Sequence, residues 1–238
     1  MKKHKKKSRP ILKLIVLFLI IYGVFNIFNK FSFYYTTVAQ NQNSNYSGTG
    51  QETVKNKDGY FTTFTTENTH KKTYIEYKQN WTSSWANNEY WGGTMEENGC
   101  GITSLSIILS GYDKNYTPEN LRTKYFPVLN YENLPKELSN TFNIENSGFL
   151  YANVYFSKNK LEEHLLTNRP VLICLWSENG NNRWTSKSHY MVLLATDGNG
   201  KVYVSNPNGL ENSINSSGWY DFDYVTPYIA KALYIEKY

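Results

Sequence analysis

Two cysteines occur in this 238-residue chain, and their surroundings in the sequence differ. Cys100 lies between two glycines and opens an apolar segment with helical spacing, whereas Cys174 lies inside the apolar run Val171–Trp176. Unpaired N–H groups at a helix N-terminus stabilise a thiolate, the reactive form of a nucleophilic cysteine. We therefore predict that Cys100 is a nucleophile and that Cys174 is a small buried hydrophobe. A helix-start cysteine without a role and a Cys100–Cys174 disulfide are the alternatives.

A nucleophilic thiol needs a base within hydrogen-bond reach, and the chain contains four histidines. His189 follows a polar loop and begins the apolar run 189–194, so it lies where that loop meets a strand. Because functional residues are often placed by loops at the end of a rigid element, we predict that His189 is the general base for Cys100. The other three histidines are predicted to lie in polar or surface segments: His4, His70 and His164.

A third side chain should fix the tautomer of the imidazole, and Asn206 is the candidate. If Asp197–Gly200 close a simple hairpin, the numbers of paired residues sum to about 397. This register places Asn206 opposite Met191 and diagonal to His189, at roughly 7–8 Å, which side chains can bridge. A plain Asx-turn role for Asn206 is the alternative, and Asp197 is a rival orienting group that we expect in the turn itself.

Helical periodicity and capping residues predict the elements that position these side chains. The apolar residues after Cys100 recur at helical spacing, and Gly111 is placed as a C-terminal cap. Three further helices are predicted: one with Thr117 as N-cap and Pro118 at its first position, Leu134–Phe142, and one from Ser157 to Leu166. Strands are predicted at Tyr60–Thr66, Tyr74–Lys78, Val171–Trp176, Tyr190–Ala195, Lys201–Ser205 and Ala230–Glu236, the last as a closing edge strand. Early helices and late antiparallel strands indicate an α+β fold.

The N-terminal part is predicted to be a basic head, residues 1–10, followed by a membrane segment. Seven of the 25 Lys and Arg residues lie in the first 13 positions. Residues 11–28 are almost wholly apolar, and a helix of this length spans roughly 27 Å, near the hydrocarbon thickness of a bilayer. The head should stay in the cytoplasm, which places the C-terminal domain outside the cell membrane as a single-pass protein. Cleavage of a signal segment near Ala39, giving a secreted protein, is the alternative.

Composition sets the domain limits and excludes some functions. Residues 29–59 are polar and are predicted to be a flexible linker, which leaves residues 60–238 as the folded domain. Outside the first 13 positions, 18 basic and 20 acidic residues nearly balance, so we exclude a nucleic-acid partner. No Cys and His occur at metal-ligand spacing, and neither a metal nor another cofactor is expected.

Six blocks of sequence follow one another along the chain: Gln79–Trp85, Trp91–Met95, Asn98–Leu105, Arg169–Ile173, Ser188–Val192 and Val204–Pro207. In content and order they resemble the stand-alone C-39-like cysteine peptidases. These are papain-fold relatives of the domains that trim double-glycine leaders from exported bacterial peptides. The resemblance implies a papain-like fold, in which an N-terminal helical part with the nucleophile helix packs on a C-terminal antiparallel sheet.

The resemblance also implies roles for single residues. Gln79 occupies the position of a glutamine that donates a hydrogen bond to the oxyanion in that family. Two positions differ from the family pattern, because Ile102 stands where a proline is frequent and Asn206 stands where an aspartate is more common. An asparagine orients the imidazole without stabilising its positive charge as strongly.

Together these residues predict an extracytoplasmic cysteine peptidase that hydrolyses peptide bonds through a thioester on Cys100, with a peptide or protein as its substrate. Two alternatives remain open. A thiol amidase or acyltransferase that acts on cell-wall peptides would use the same residues, whereas a catalytically inactive domain would bind peptides or partners in its cleft.

Overall fold

The computed structural model describes residues 53–56, 59–66, 71–114, 116–127, 130–152, 157–176, 182–209 and 215–237. The chain divides into two units, residues 1–45 and 46–238, and all described residues belong to the second. The predicted basic head at 1–10 and apolar segment at 11–28 therefore lie outside the described residues, as do His4 and His70.

The described residues form eleven strands: β1 (Thr53–Asn56), β2 (Gly59–Thr65), β3 (Thr73–Glu76), β4 (Glu89–Tyr90), β5 (Gly93–Thr94), β6 (Asn146–Tyr151), β7 (Val171–Trp176), β8 (Ser188–Thr196), β9 (Lys201–Ser205), β10 (Gly218–Asp221) and β11 (Ile229–Ile235). Six of them make an antiparallel sheet in the order β10-β9-β8-β7-β11-β6. The others make a three-stranded sheet, β1-β2-β3, and the pair β4-β5.

Six α-helices lie in the described ranges: α1 (Met95–Asn98), α2 (Cys100–Ser110), α3 (Pro118–Lys124), α4 (Leu134–Phe142), α5 (Lys158–Leu165) and α6 (Phe222–Val225). A short 3-10 helix, Thr226–Tyr228, follows α6. Helix α2 packs on β8 and β3, and every residue of α2 after Cys100 is buried. The packing of residues 101–110 therefore fixes the position of Cys100, the first residue of this helix, against the sheet.

The large sheet separates two apolar clusters, because successive side chains of a strand point to opposite faces. One face packs against α2, α3 and α4, with Leu105 of α2 in one cluster with Leu172 and Val192 of the sheet. The opposite face packs against α5 and α6, with Leu161 of α5 in one cluster with Leu193. Strands that contribute to both clusters are buried on both faces, which explains why β7 and β8 are continuous apolar runs.

The predicted α+β class is confirmed, with a helix that begins at Cys100 packed on a C-terminal antiparallel sheet. Helices α2 and α4 have their predicted bounds, and Gly111 is the C-cap of α2. The predicted N-caps of α3 and α5 are also present, since Thr117 and Ser157 each accept a hydrogen bond from the backbone N–H three residues later.

The C-terminal strand is not an edge strand, so that prediction is wrong. β11 lies between β7 and β6 and is paired on both sides. Its outer neighbour β6 has the sequence Asn-Ser-Gly-Phe-Leu-Tyr, whose first three residues are typical of a turn, and this strand was not predicted. Strand β10 closes the opposite edge and was also not predicted.

Strand β1 lies inside the segment predicted to be a linker, residues 29–59. Its four residues pair antiparallel with β2, from Thr53 opposite Thr62 to Asn56 opposite Gly59. The ordered chain therefore begins at least as early as Thr53, before the predicted domain start at residue 60. The polar composition of residues 53–56 did not predict this strand. The strand is formed by backbone pairing with β2, which side-chain composition does not reveal.

No helix in the described ranges is both long and apolar enough to cross a bilayer. Helix α2, the longest of them, has 11 residues. At about 1.5 Å per residue it spans little more than half of a hydrocarbon core of about 30 Å. The predicted location as a single-pass membrane protein is therefore not supported, and we correct it.

Because α2 positions Cys100, we expect its core contacts to dominate the stability of this part of the chain. Replacing the fully buried Leu105 with alanine should lower the free energy of unfolding by about 2–5 kcal/mol, from lost burial and the cavity left behind. Leu166, which is 47% exposed, is the matched control, and Leu166→Ala should cost less than about 1 kcal/mol. Urea unfolding of the full chain followed by circular dichroism measures both, and equal losses would contradict the packing described for α2.

Candidate active site

Cys100 follows a short, tightly capped helix. Thr94 and Glu97 form a capping box at the start of α1, and the Gly99 N–H donates to the carbonyl of Met95 at 2.8 Å. A side chain at Gly99 would collide with that same carbonyl oxygen. On the other side, a side chain at Gly101 would collide with the hydroxyl group of Tyr131. Both glycines are therefore required by close approach of their neighbours, and together they fix the place where α2 begins.

The thiol of Cys100 is protonated in this conformation. Burial raises its pKa to about 11, while the backbone N–H groups of Tyr190, Gly101 and Cys100 itself act in the opposite direction. The nearby Cys174 raises the pKa further. The backbone N–H groups at the helix start therefore lower the pKa of Cys100, as predicted, but burial raises that pKa by more. Both cysteines are free thiols, so the alternative of a disulfide between them is not what the structure contains.

His189 lies at the start of β8, is buried, and is hydrogen-bonded to Asn206. The distance from its Nε2 to Asn206 Oδ1 is 2.8 Å. The hairpin register that places them together is the predicted one, since Val192 pairs with Ser205 and Leu193 with Val204. Extending these pairs by one residue puts Asn206 opposite Met191, diagonal to His189 on the same face of the sheet.

The hydrogen bonds of Asn206 determine which ring nitrogen of His189 carries the proton. Asn206 Nδ2 donates to the carbonyl of Asn215 at 2.7 Å, and Oδ1 accepts from the N–H of Asn208 at 3.0 Å. These two bonds fix the amide orientation, so Oδ1 can only accept from the imidazole. Nε2 of His189 therefore carries the hydrogen, and Nδ1 keeps its lone pair. Asn206 forms the Asx turn of the alternative interpretation and contacts the imidazole as well.

The backbone of Asn206 is held by two residues that sequence reasoning missed. Lys78 Nζ donates to the Asn206 carbonyl at 2.8 Å and to Ser217 Oγ at 3.0 Å, and Ser217 Oγ accepts from the Asn206 N–H at 3.0 Å. Burial lowers the pKa of Lys78, and the carboxylate of Glu76 acts against that shift. The only signal in the sequence is that Lys78 directly precedes Gln79.

Gln79 joins the same network from the other side. Its backbone N–H donates to the carbonyl of Pro207 at 2.9 Å, and its Nε2 donates to the carbonyl of Glu96 at 2.6 Å. Glu96 belongs to α1, which leads directly into Cys100. The side chain is buried, and its Oε1 has no hydrogen-bond partner within the described residues. One of the two Nε2 hydrogens is therefore committed to Glu96, and the second remains available.

Cys100 begins α2 and His189 lies in β8, and these two elements pack on one another, but the two side chains are not bonded. Tyr190 and Val192 point toward α2, whereas Met191 points into the opposite cluster. His189 is two residues before Met191 and pairs with Leu175 of that same cluster, so strand alternation places it on the side of Met191. The thiol lies beside the backbone N–H of Tyr190, the residue directly after His189. No hydrogen bond joins the two candidate catalytic side chains, both of which belong to the described residues.

A cleft of about 780 Å³ opens at the start of α2. Both cysteines line it, as do Ser188 and Tyr190 on either side of His189. Three of its aromatic residues are more than half exposed: Trp91, Tyr151 and Trp176. These three side chains give the walls of the cleft exposed apolar surface. Cys174 is buried in a strand as predicted, but its place in this cleft was not anticipated.

A buried helix that begins at Cys100 and a His189–Asn206 hydrogen bond on an antiparallel sheet are features expected of a papain-like cysteine peptidase. The sequence profile of the Peptidase_C39 like family matches residues 77–226, and this chain belongs to that family. Family membership supports a papain-like cysteine peptidase in general terms and confirms the predicted resemblance.

No curated protein matches the chain. Among solved structures, a candidate C39-like peptidase from Bacillus anthracis is similar at 15% sequence identity and a TM-score of 0.43, over 59% of this chain and 90% of that chain.

The His189–Asn206 bond predicts how charge at residue 206 changes the imidazole. Burial lowers the pKa of His189, and the bond to Asn206 only partly opposes that shift. Asn206→Asp places a carboxylate against Nε2, which should raise the pKa of His189 by about 1–3 units. The measurement is a pH titration of the His189 ring protons by NMR. Asn208→Asp, which adds the same charge at an exposed position two residues away, is the control, and equal shifts in the two variants would contradict the described bond.

Burial of the Cys100 thiol predicts the pH dependence of its alkylation. A thiol with a pKa near 11 is almost wholly protonated below pH 9, so the rate of reaction with iodoacetamide should rise about tenfold per pH unit from pH 6 to 9. Mass spectrometry of the Cys100 peptide measures this rate, with the chain unfolded in urea as the control. A plateau below pH 7 that disappears in His189→Ala would instead show a thiolate–imidazolium pair.

Proposed function

We propose that this chain hydrolyses peptide bonds, with Cys100 as the nucleophile, His189 as the general base and Asn206 as the residue that orients the imidazole. The single observation that supports it best is the hydrogen bond from His189 Nε2 to Asn206, which leaves Nδ1 with a free lone pair. A base in this state can accept the proton of a neutral thiol. The substrate is a peptide or protein that occupies the cleft.

Catalysis requires the thiol to turn from the Tyr190 N–H toward the imidazole. Rotation of the Cys100 side chain about its Cα–Cβ bond is the movement available within α2, and the two side chains must further meet at the end of β8 where His189 lies. The thiol proton then passes to His189 Nδ1 as the sulfur forms a bond to the substrate carbonyl carbon. Because burial disfavours the free thiolate and the imidazolium alike, proton transfer accompanies attack rather than preceding it.

The remaining steps return the proton and release both products. His189 Nδ1 donates its proton to the leaving amine as the C–N bond breaks, which leaves a thioester on Cys100. Water then attacks the thioester carbonyl, with His189 taking one water proton, and the C–S bond breaks to release the acid and restore the thiol. Asn206 keeps the ring in one orientation throughout, and as a neutral amide it adds less stabilisation to the imidazolium than a carboxylate would.

Gln79 is the proposed side-chain donor to the oxyanion. Its amide is fixed between α1 and the turn after Asn206, with one N–H held by Glu96 and the second free. A donor fixed in advance lowers the barrier because it needs no reorganisation when negative charge develops. The backbone N–H of Cys100, at the start of α2, is the proposed second donor.

The test is cleavage of a fluorescence-quenched peptide library by the full chain. We expect hydrolysis that disappears in Cys100→Ala and is strongly reduced in His189→Ala. Gln79→Ala should lower kcat by about 100–1000-fold with little change in KM, because the donor acts mainly in the transition state.

His164→Gln is the matched control, since His164 is also a buried histidine but lies on α5 at a separate pocket. It should keep activity, and thermal melting by circular dichroism checks that every variant is folded. Full activity in Cys100→Ala, or no cleavage of any peptide by the wild-type chain, would overturn the proposed function.

A further inference from the structure

The floor of the cleft contains four residues that lie side by side across four strands. Tyr190 of β8 pairs with Cys174 of β7, Cys174 pairs with Lys231 of β11, and Lys231 pairs with Tyr151 of β6. All four line the cleft. With neighbouring strands about 4.8 Å apart, this cross-strand row extends about 14 Å from the strand that contains His189. An extended peptide of about four residues has the same length.

Lys231 is the cation of this row, and its surroundings are aromatic rather than acidic. Its Nζ lies 4.4 Å from the ring centre of Phe149, 5.6 Å from Tyr131 and 5.7 Å from Tyr190. Among the described residues, neither a carboxylate nor a hydrogen-bond acceptor contacts this ammonium group. Cation–π contacts hold it in place but leave its three N–H donors unused.

The other charged groups of the cleft do not neutralise Lys231. Lys187 is exposed at the same cleft and adds positive charge. Glu97 is the acidic lining residue, and its carboxylate accepts hydrogen bonds from the backbone N–H and hydroxyl of Thr94 in the capping box of α1. The floor of the cleft is therefore positively charged, although the folded part of the chain is close to neutral.

We propose that Lys231 binds a carboxylate of the substrate and so makes this chain selective for peptides with an acidic group near the scissile bond. This inference rests on the proposed function and names its substrate class. Lys231 lies two strand spacings, about 10 Å, from β8, which corresponds to about three residues of an extended peptide. The carboxylate forms a charge-assisted hydrogen bond to Nζ while the substrate backbone lies along the row.

The experiment compares peptides that differ only by Glu or Gln at each of four positions on either side of the cleaved bond. We expect kcat/KM to favour Glu by about tenfold at one position, about three residues from the bond. Lys231→Met keeps the aliphatic packing and should remove the preference, and Lys231→Glu should reverse it in favour of Gln. Each peptide is made with a free and an amidated C-terminus, which separates recognition of a side chain from recognition of a terminal carboxylate.

Lys160→Met is the matched control, because Lys160 also lies over an aromatic ring, 5.9 Å from Tyr234, but lines a different pocket. It should leave the Glu/Gln ratio unchanged. If Lys231→Met keeps the wild-type ratio while Cys100→Ala abolishes cleavage, the inference fails and the proposed function stands.

A second measurement decides the inference without peptide hydrolysis. Cys100 is alkylated with iodoacetate, which is anionic, and with iodoacetamide, which is neutral and of similar size. Lys231→Met should lower the iodoacetate/iodoacetamide rate ratio by about threefold or more, since a local cation concentrates the anionic reagent. An unchanged ratio would show that Lys231 does not attract anions into the cleft.

Discussion

The packing of α2 against the large sheet is the constraint on which the candidate site depends. Each residue after Cys100 in this helix is buried, so the helix can neither slide nor rotate without opening the core. Its first residue is consequently fixed beside β8, and the glycines before and after it leave room only for α1 and Tyr131. The chemistry of the site is thus set by a rigid element, and the freedom left to Cys100 is the rotation of one side chain.

Burial has opposite consequences for the two halves of the proposed pair. It favours the protonated thiol at Cys100 and the unprotonated imidazole at His189, so the resting site contains two neutral groups. A neutral pair is stable in a site of low polarity and needs no counter-ion. The same environment raises the free energy of a charged intermediate. The polar contacts nearby are those of Asn206, bonded through both atoms of its amide, and of Gln79 Nε2, which donates to Glu96.

Much of this arrangement could be predicted from the sequence, because local patterns determine it. The Gly-Cys-Gly helix start, the Asp197–Gly200 turn and the resulting register of Asn206 need no information about distant strands. The cleft floor could not be predicted, because a long loop separates β7 from β8 and the neighbour of β11 is the unpredicted strand β6. His164 shows the same limit, since it was expected on a surface but is buried against Tyr234 in a T-shaped contact, with its pKa lowered to about 4 by burial.

The central position of β11 has a consequence for biosynthesis. This strand, at residues 229–235, separates two strands that are made some 50 to 80 residues earlier. Until it leaves the ribosome, β6 has no partner and β7 has an open edge, which is a template for non-native pairing. The sheet therefore closes late, through contacts that are distant along the chain and slow to form. A polypeptide interrupted before residue 229 would contain Cys100, His189 and Asn206 but would lack the strand that joins β6 to the rest of the sheet.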